Sequence, residues 1–400
     1  MKISAAILSN SVNTWIFSTA GRQVFLVGGY IRDLLRGIIS KDKDFILHGS
    51  AENIARETAG KFSGTFVTLK PEMTYRVVLK NKEILDFSNL QGSINEDLKR
   101  RDFTVNAIAW SPVSGIIDPF GGREDINEHI IKAVRMKNLS DDPLRIIRAY
   151  RLAAELNFKI EPDTRRNLKH YRNGLAKVAS ERITEEIFKI LKNKNAVKCL
   201  SECRKDKVLE KVFHADSRLS NMKLLAGFDV YLKNASKKIK ELLSGEISQG
   251  LDRAGLIRLA LLLPDHDDTV EKTRLKVSRS IRKALGEIHC GYSAAPVSRG
   301  RISKDILFKI FNASGGRVFE VCILLSLIKG YNRKTLLGRA DEYLKIKNKV
   351  LLNGNDIQKI LKIYRGRKIG GILSAVQKAQ FKGEIKTRTE TKKWLLHNFQ

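Results

Sequence analysis

Two short stretches near the N-terminus have residue types and spacing suited to phosphate and metal chemistry. Gly28 and Gly29 end an apolar run that starts at Val24, and a helix-like segment follows them. A glycine turn between a strand and a helix lets backbone amides face an anion. Arg32, one turn into the helix, can add a bidentate contact to a triphosphate.

A pair of carboxylates follows this turn. Asp42 and Asp44 open the next predicted strand, and their spacing of two residues places both on one face. Carboxylates so arranged can share a pair of Mg²⁺ ions, which lie roughly 4 Å apart in two-metal sites. Alone, a Gly-Gly is commonly a tight turn and an Asp-x-Asp a polar edge. Their combination favours metal-assisted nucleotidyl transfer.

A third acid, Asp86, lies on the second strand of a predicted hairpin. Arg76 to Lys80 forms its first strand, Asn81-Lys82 its turn and Glu83 to Phe87 its second strand. If that second strand lies next to the one carrying Asp42, three acids enclose the metals. The alternative is an ordinary charged strand residue.

Four further motifs follow in order. With the glycine turn and the acid pair, the series resembles the motif series of the class II tRNA nucleotidyltransferase and bacterial poly(A) polymerase family. The resemblance covers Val24 to Leu191, and the C-terminal half carries little that is specific. The four motifs are Arg100-Arg-Asp-Phe-Thr-Val-Asn-Ala107, Asp118-Pro-Phe-Gly-Gly122, Asp141-Asp-Pro-Leu-Arg-Ile-Ile-Arg-Ala-Tyr-Arg151 and Glu181-Arg-Ile-Thr-Glu-Glu186.

The resemblance implies an α+β fold, in which a polymerase-β-like head with a mixed sheet precedes an all-α neck, body and tail. We expect the catalytic head at residues 1–135, the base-selecting neck at 136–200 and the tRNA-binding body and tail at 201–400. The resemblance also implies that four residues contact the nucleotide: Gly28, Gly29, Arg32 and Arg101. Arg101 precedes a helix expected near Phe103.

Within that motif, Asp102 and Asn106 are expected to organise the loop. Asp118-Pro-Phe-Gly-Gly122 has turn chemistry, because proline fixes φ and the glycines accept unusual backbone angles. We expect this turn to join head and neck and to carry no reaction.

The neck helix is predicted from Pro143 to about Phe158, with Asp141 or Asp142 as its N-cap. An apolar stripe of Leu144, Ile147, Leu152 and Leu156 marks its buried face. A polar strip runs beside it, because the following residues recur every three positions: Asp142, Arg145, Arg148 and Arg151.

One acid and one guanidinium in this strip can read a base edge. Cytosine and adenine each offer an amino donor and a ring-nitrogen acceptor, so Asp142 can accept and Arg145 can donate to either. Uracil and guanine present the reverse pattern, so the buried acid would face an acceptor. This mismatch costs on the order of 1 to 3 kcal/mol of binding free energy. The resemblance implies that Arg148 and Arg151 contact the sugar and phosphates. A solvated, salt-bridged helix face is the alternative.

Two departures from the family pattern bear on the nucleotide added. The usual Glu-Asp pair is Asp141-Asp142 here, which leaves the base-facing Asp142 intact. The flexible loop common after the third-acid strand is missing, and Gln91 stands where an arginine is common. Members without that loop resemble the CC-adding specialists. We therefore expect CMP addition to tRNA from CTP, with full CCA addition, which also uses ATP, and poly(A) synthesis as alternatives.

Composition fits an RNA partner. The chain of 400 residues has 74 Lys+Arg against 43 Asp+Glu, a net charge of +31, and such an excess favours a polyanion. Basic stretches at 237–240, 345–349 and 364–368 lie in the half where the family binds tRNA. A catalytically silent RNA-binding protein is a further alternative, although it would need a broken site. We expect no membrane association.

Four cysteines, at 199, 203, 290 and 322, have neither metal-ligand spacing nor a disulfide framework. We expect reduced thiols, no targeting segment and a cytoplasmic location. His266-Asp267 could belong to a metal phosphohydrolase module, but no upstream histidine completes such a site, and a loop is predicted there.

Overall fold

The structure is a computed structural model, and it describes residues 3–21, 24–213, 221–263, 268–296, 302–364 and 367–399. The chain divides into two compact units, Met1–Val212 and Phe213–Gln400. The strands of the first unit are β1 (Val24–Val27), β2 (Asp42–Leu47), β3 (Thr65–Lys70), β4 (Thr74–Val78), β5 (Ile84–Asn89), β6 (Ala109–Ser111), β7 (Gly115–Ile117), β8 (Ile130–Ile131) and β9 (Lys159–Ile160).

Its helices alternate with these strands at first and then follow one another. They are α1 (Ile3–Leu8), α2 (Ser11–Thr19), α3 (Gly29–Leu35), α4 (Ala51–Lys61), α5 (Ile94–Lys99), α6 (Gly122–Asn127), α7 (Lys137–Asp141), α8 (Leu144–Leu156), α9 (Pro162–Tyr171), α10 (Ser180–Lys192), α11 (Ala196–Lys205) and α12 (Glu210–Phe213). The predicted order of a mixed α/β head before helices is confirmed.

A seven-stranded mixed sheet forms the head, in the order β3-β4-β5-β2-β1-β6-β7. Its neighbours are antiparallel except for β2 and β5, which are parallel. The predicted hairpin is β4 and β5, and its second strand does lie beside the strand that carries Asp42.

Strand alternation separates an apolar face of the sheet from a charged one. Cross-strand register aligns five buried side chains in one row: Tyr75, Phe87, Phe45, Leu26 and Trp110. Their rings pack on one another and on α2; the Phe45 and Phe87 centroids, for example, are 5.4 Å apart. Residues one position along each strand must point to the opposite face, which is where the carboxylates lie.

The neck helix α8 packs its apolar stripe against α10 and α11. Its four predicted stripe residues are all buried: Leu144, Ile147, Leu152 and Leu156. The N-cap prediction was wrong. Asp141 belongs to the preceding helix α7, the cap position is Pro143, and no side chain caps α8, because the carboxylate of Asp142 binds an arginine instead.

Within its described residues, the second unit is helical apart from one small hairpin, β10 (Glu246–Ser248) and β11 (Leu251–Asp252). Its helices are α13 (Met222–Asn234), α14 (Lys237–Leu243), α15 (Arg253–Leu262), α16 (Asp268–Glu271), α17 (Arg279–Ser293), α18 (Lys304–Ala313), α19 (Val318–Ile328), α20 (Arg333–Asn348), α21 (Gly354–Leu361), α22 (Arg367–Lys382) and α23 (Arg388–Phe399). In the described ranges no single helix has the length and apolarity to cross a membrane; only the bent pair of α18 and α19, taken together, meets that test.

One expectation about secondary structure changes at this level. The helix expected near Phe103 is a single 3₁₀ turn, Thr104–Asn106, because the Thr104 hydroxyl donates to Asp125 and strand β6 begins soon after. The division at residue 200 falls inside α11, and the compact unit continues to Val212. The His266-Asp267 pair and part of the basic stretch at 364–368 lie outside the described residues.

Candidate active site

Three carboxylates lie on the charged face of the sheet, and we call Asp42, Asp44 and Asp86 the acid row. In the parallel pair of β2 and β5, Asp44 is the direct neighbour of Asp86. Asp42 lies two residues before Asp44 on the same face and is exposed to solvent. The sequence expectation that three acids approach one another is therefore met by strand register.

The surroundings of Asp44 shift the pKa of its carboxyl group. Desolvation by the surrounding protein raises the pKa of this carboxyl, the charge of Arg101 opposes that shift, and the charges of Asp86 and Asp42 reinforce it. Its side chain still reaches solvent. Like charges held this close favour a cation between them.

Asp86 has a partner that the sequence analysis did not assign. Arg76, its direct neighbour across β4 and β5, donates from Nε to Oδ1 at 2.7 Å and from Nη2 to Oδ2 at 2.8 Å. Both carboxylate oxygens of Asp86 thus have a partner in the protein. The predicted hairpin missed this pairing by one residue, because a two-residue turn at Asn81-Lys82 would place Arg76 opposite Phe87, whereas the observed register places it opposite Asp86.

The donor set fits magnesium. Mg²⁺ is commonly held by one or two carboxylates together with substrate phosphates and water, and Asp42 and Asp44 offer two exposed carboxylates on one face. Among the described residues no group of three or more His, Cys, Asp or Glu side chains has the geometry of a complete metal site. This agrees with the engagement of Asp86 by Arg76.

The glycine turn lies directly beside the acid row. Gly28 has φ of 73°, and a Cβ built there would come 2.6 Å from Nη1 of Arg101 and 3.6 Å from Oδ2 of Asp44. Only glycine allows both this backbone angle and this approach. The Gly28 amide already donates to the Ile108 carbonyl at 2.9 Å. Gly29 begins α3.

A chain of paired polar side chains runs from this turn to the neck. Arg32 donates from Nε and Nη2 to Asp33 and from Nη1 to Asn106, at 2.7 Å. Asn106 donates to Asp102 at 3.1 Å, and Arg148 donates to Asp102 from Nε and Nη2. Asp102 and Asn106 do organise the loop, as expected.

The chain continues into the neck through a buried glutamate. Glu186 accepts from Nε of Arg151 at 2.6 Å and lies 3.6 Å from Nη1 of Arg148. Arg151 also donates to Glu155 at 2.6 Å. We call the connected residues the polar chain: Asp33, Arg32, Asn106, Asp102, Arg148, Glu186 and Arg151.

Burial would raise the pKa of both acids at its centre, but neighbouring cations reverse the shift. The charge of Arg148, with hydrogen bonds from Asn106 and Arg148 itself, holds the pKa of Asp102 below its ordinary value. The charges of Arg151, Lys189 and Arg148 do the same for Glu186. The nucleotide contacts of Arg32, Arg148 and Arg151 stay predictions, and a nucleotide would have to share these side chains with their protein partners.

Asp142 and Arg145, the pair predicted to read the base, lie at the start of the neck helix. Oδ2 of Asp142 accepts from Arg182 at 2.9 Å, and Nε of Arg145 lies 3.9 Å from the same oxygen. Arg145 also donates to the Arg101 carbonyl at 3.2 Å, which joins the neck to the nucleotide-binding loop. Arg182 belongs to a motif that the sequence analysis noted without giving this residue a role.

The connection after the third-acid strand is short and closed. Only four residues separate Asn89, the end of β5, from Ile94, the start of α5. Ser93 and Glu96 form a capping box that fixes the start of this helix. No room remains for the flexible loop that the sequence analysis found missing.

Fold and site together define a template-independent type of nucleotidyltransferase. Residues 24–132 match the family model described as the poly A polymerase head domain, and residues 157–215 match the probable RNA and SrmB-binding site of polymerase A. The chain belongs to the family of class II tRNA nucleotidyltransferases and bacterial poly(A) polymerases.

Relatives match along nearly the whole chain. The CC-adding tRNA nucleotidyltransferase of Geobacter sulfurreducens is 30% identical over 396 residues, 94% of this chain and 92% of its own length. The CC-adding enzyme of Synechocystis is 29% identical, with 92% of each chain covered. The Bacillus stearothermophilus CCA-adding enzyme, solved with CTP, has a TM-score of 0.73 at 23% identity, with 98% of this chain and 97% of that chain covered. This likeness concerns the fold.

Proposed function

We propose that the protein adds CMP residues to the 3′ end of tRNA and stops after the second. The closed connection between β5 and α5 carries this proposal. A flexible lever there would let the neck re-aim from cytosine to adenine, and without it the pocket stays set for cytosine. The two CC-adding relatives, which align along more than nine tenths of the chain, support it.

The proposed mechanism assigns one task to each element. The glycine turn and Arg101 hold the triphosphate of CTP, and the 3′ hydroxyl of the RNA attacks the α-phosphorus in line, so that pyrophosphate leaves. Magnesium, held by Asp42 and Asp44, would supply positive charge to the reacting phosphate. Asp86 acts with them by fixing Arg76 at the edge of the row.

Base choice belongs to the neck. Asp142 accepts from the cytosine amino group, and Arg145 donates to its ring nitrogen and carbonyl. Desolvation lowers the pKa of Arg145, although the charges of Asp102 and Asp142 oppose that shift. Arg182 must share Asp142 with the base, because it already donates to one of its oxygens.

We place tRNA binding on the basic second unit and the reaction in the cytoplasm. The excess of cations over anions gives a sequence-independent attraction to phosphates, so binding should weaken steeply with salt. Buried Cys199, Cys203 and Cys322 are free thiols, which suits a reducing compartment. The domain limits at 135 and 200 remain part of this proposal.

Extension of three tRNA transcripts tests the proposal. They end at the discriminator base, at C and at CC, and receive CTP and ATP separately and together with Mg²⁺. Two additions of C and a stop, with ATP present, are expected. A single further A would make it a full CCA-adding enzyme, and a long ladder of A would make it a poly(A) polymerase.

A further inference from the structure

Arg76 has more hydrogen-bonding capacity than its ion pair uses. Its Nε and one hydrogen of Nη2 bind Asp86. A guanidinium carries five N–H donors, and Nη1 donates to no residue that the structure describes. The side chain is 36% exposed. A fixed, partly exposed guanidinium with a free edge suits a phosphate.

The sheet order places Arg76 on a defined side of the acid row. β1, which ends at the glycine turn, pairs with one side of β2, so that Val27 lies beside Asp44. β5 and then β4 follow on the other side, which places Asp86 and Arg76 beyond Asp44. The glycine turn and Arg76 therefore flank the acids on opposite sides.

In-line transfer gives these two sides different tasks. The attacking and leaving oxygens lie roughly in line through the reacting phosphorus. Under the proposed function, on which this step rests, pyrophosphate departs toward the glycine turn and Arg101. The 3′ hydroxyl must then approach from the side of β5 and β4.

We propose that Arg76 binds the phosphodiester that precedes the 3′-terminal nucleotide of the RNA and so positions the attacking hydroxyl. Asp86 orients the guanidinium by its bidentate pair. The acid row repels RNA phosphates, and a cation at its edge offsets that repulsion where the RNA end arrives. A partly exposed ion pair contributes only about 0–1 kcal/mol to stability, so folding alone is a weak reason for this pair.

A chemical double-mutant cycle tests the contact. The Arg76→Gln variant and wild type add CMP to two tRNA transcripts: one with a natural 3′ end and one whose last internucleotide phosphate is a neutral methylphosphonate. Each change alone should reduce kcat/KM for the RNA about 10- to 100-fold, the worth of a hydrogen bond to a charged group. Both together should cost little more than either. KM for CTP should stay within about twofold, since the nucleotide binds on the other side of the row.

The assignment would be overturned if the two losses in kcat/KM multiplied when both changes were combined. It would also be overturned if KM for CTP rose together with the loss in kcat/KM for the RNA. Arg56→Gln is the matched control: this arginine is 59% exposed, pairs with Glu52 on α4 and should give no coupling. If the glutamine variant does not fold, the cycle is repeated with Arg76→Lys, which keeps the charge. A wild-type protein that adds no CMP to the natural end would refute the proposed function instead.

Discussion

The acid row and the polar chain contain the same kinds of residue but treat charge in opposite ways. Asp42 and Asp44 are exposed on one strand face, where desolvation, reinforced by the charges of Asp86 and Asp42, raises the pKa of Asp44. In the polar chain every carboxylate accepts from an arginine, and Asp102 and Glu186 are buried. We infer that Asp42 and Asp44 are kept open for the charges of metal and substrate, while the polar chain is a fixed frame that joins the neck helix to the head.

The largest effect is expected at the acid row. Asp42→Ala removes half of the exposed carboxylate pair and should lower single-turnover CMP addition by more than about 1000-fold, because metal-derived stabilisation of the transition state is worth several kcal/mol. tRNA affinity, measured by filter binding, should stay within about threefold. Normal turnover by this variant would refute the metal-site assignment, and Glu52→Ala, at a partly exposed position of α4, is the control.

Removing a carboxylate from the polar chain should instead affect stability. Glu186→Gln removes the buried carboxylate that Arg151 and Arg148 share and leaves each with one other carboxylate partner, Glu155 and Asp102. The free energy of unfolding should therefore fall by at most about 3–5 kcal/mol. Glu155→Gln removes the other, more exposed partner of Arg151 and should cost less than about 1 kcal/mol. Equal losses in the free energy of unfolding, measured by urea denaturation, would show that burial does not distinguish Glu186 from Glu155.

The polar chain also predicts that the free energy of unfolding depends on pH. The pKa of Asp102 is lower in the folded protein than in the unfolded chain, where it is about 3.9. The contribution of Asp102 to stability is therefore fully present above the unfolded pKa and is lost as the pH falls through the folded pKa. Asp102→Asn should therefore flatten the decline in unfolding free energy between about pH 5 and pH 2. An unchanged slope would mean that Asp102 does not contribute to that decline.

The smallest effect is expected at the ion pair between Arg182 and Asp142. Arg182→Ala frees Asp142 from an exposed ion pair and should change stability by less than about 1 kcal/mol. KM for CTP should shift only a few-fold, since Arg145 stays in place. Loss of CMP addition would show that Arg182 acts directly on substrate, and steady-state kinetics with CTP distinguishes the two results.

The acid row could be predicted because its causes are local. Alternation along β2 places Asp42 and Asp44 together, and one hairpin brings Asp86 beside them. The pairing of Arg76 with Asp86 could not be predicted in this way, because the expected two-residue turn shifts the register by one residue and places Arg76 opposite Phe87.

The polar chain could not be found this way, because its partners are far apart in sequence. Arg32 and Asn106 are separated by 74 residues, Asp102 and Arg148 by 46, and Arg151 and Glu186 by 35. Only tertiary packing brings such groups together. For the same reason, the resemblance implied nucleotide contacts for Arg148 and Arg151 but gave no sign of the buried carboxylates that the fold supplies as their partners.

We assign the reaction rate to the acid row and the choice of base to the neck, and discrimination between CTP and UTP separates these two roles. Single-turnover addition to a tRNA ending at the discriminator base should be measured with each nucleotide for wild type and for Asp142→Ala. The account predicts that this variant loses about 5- to 150-fold of the preference for CTP, the equivalent of 1–3 kcal/mol, while its rate with saturating CTP falls far less than that of Asp42→Ala. An unchanged preference would contradict the account.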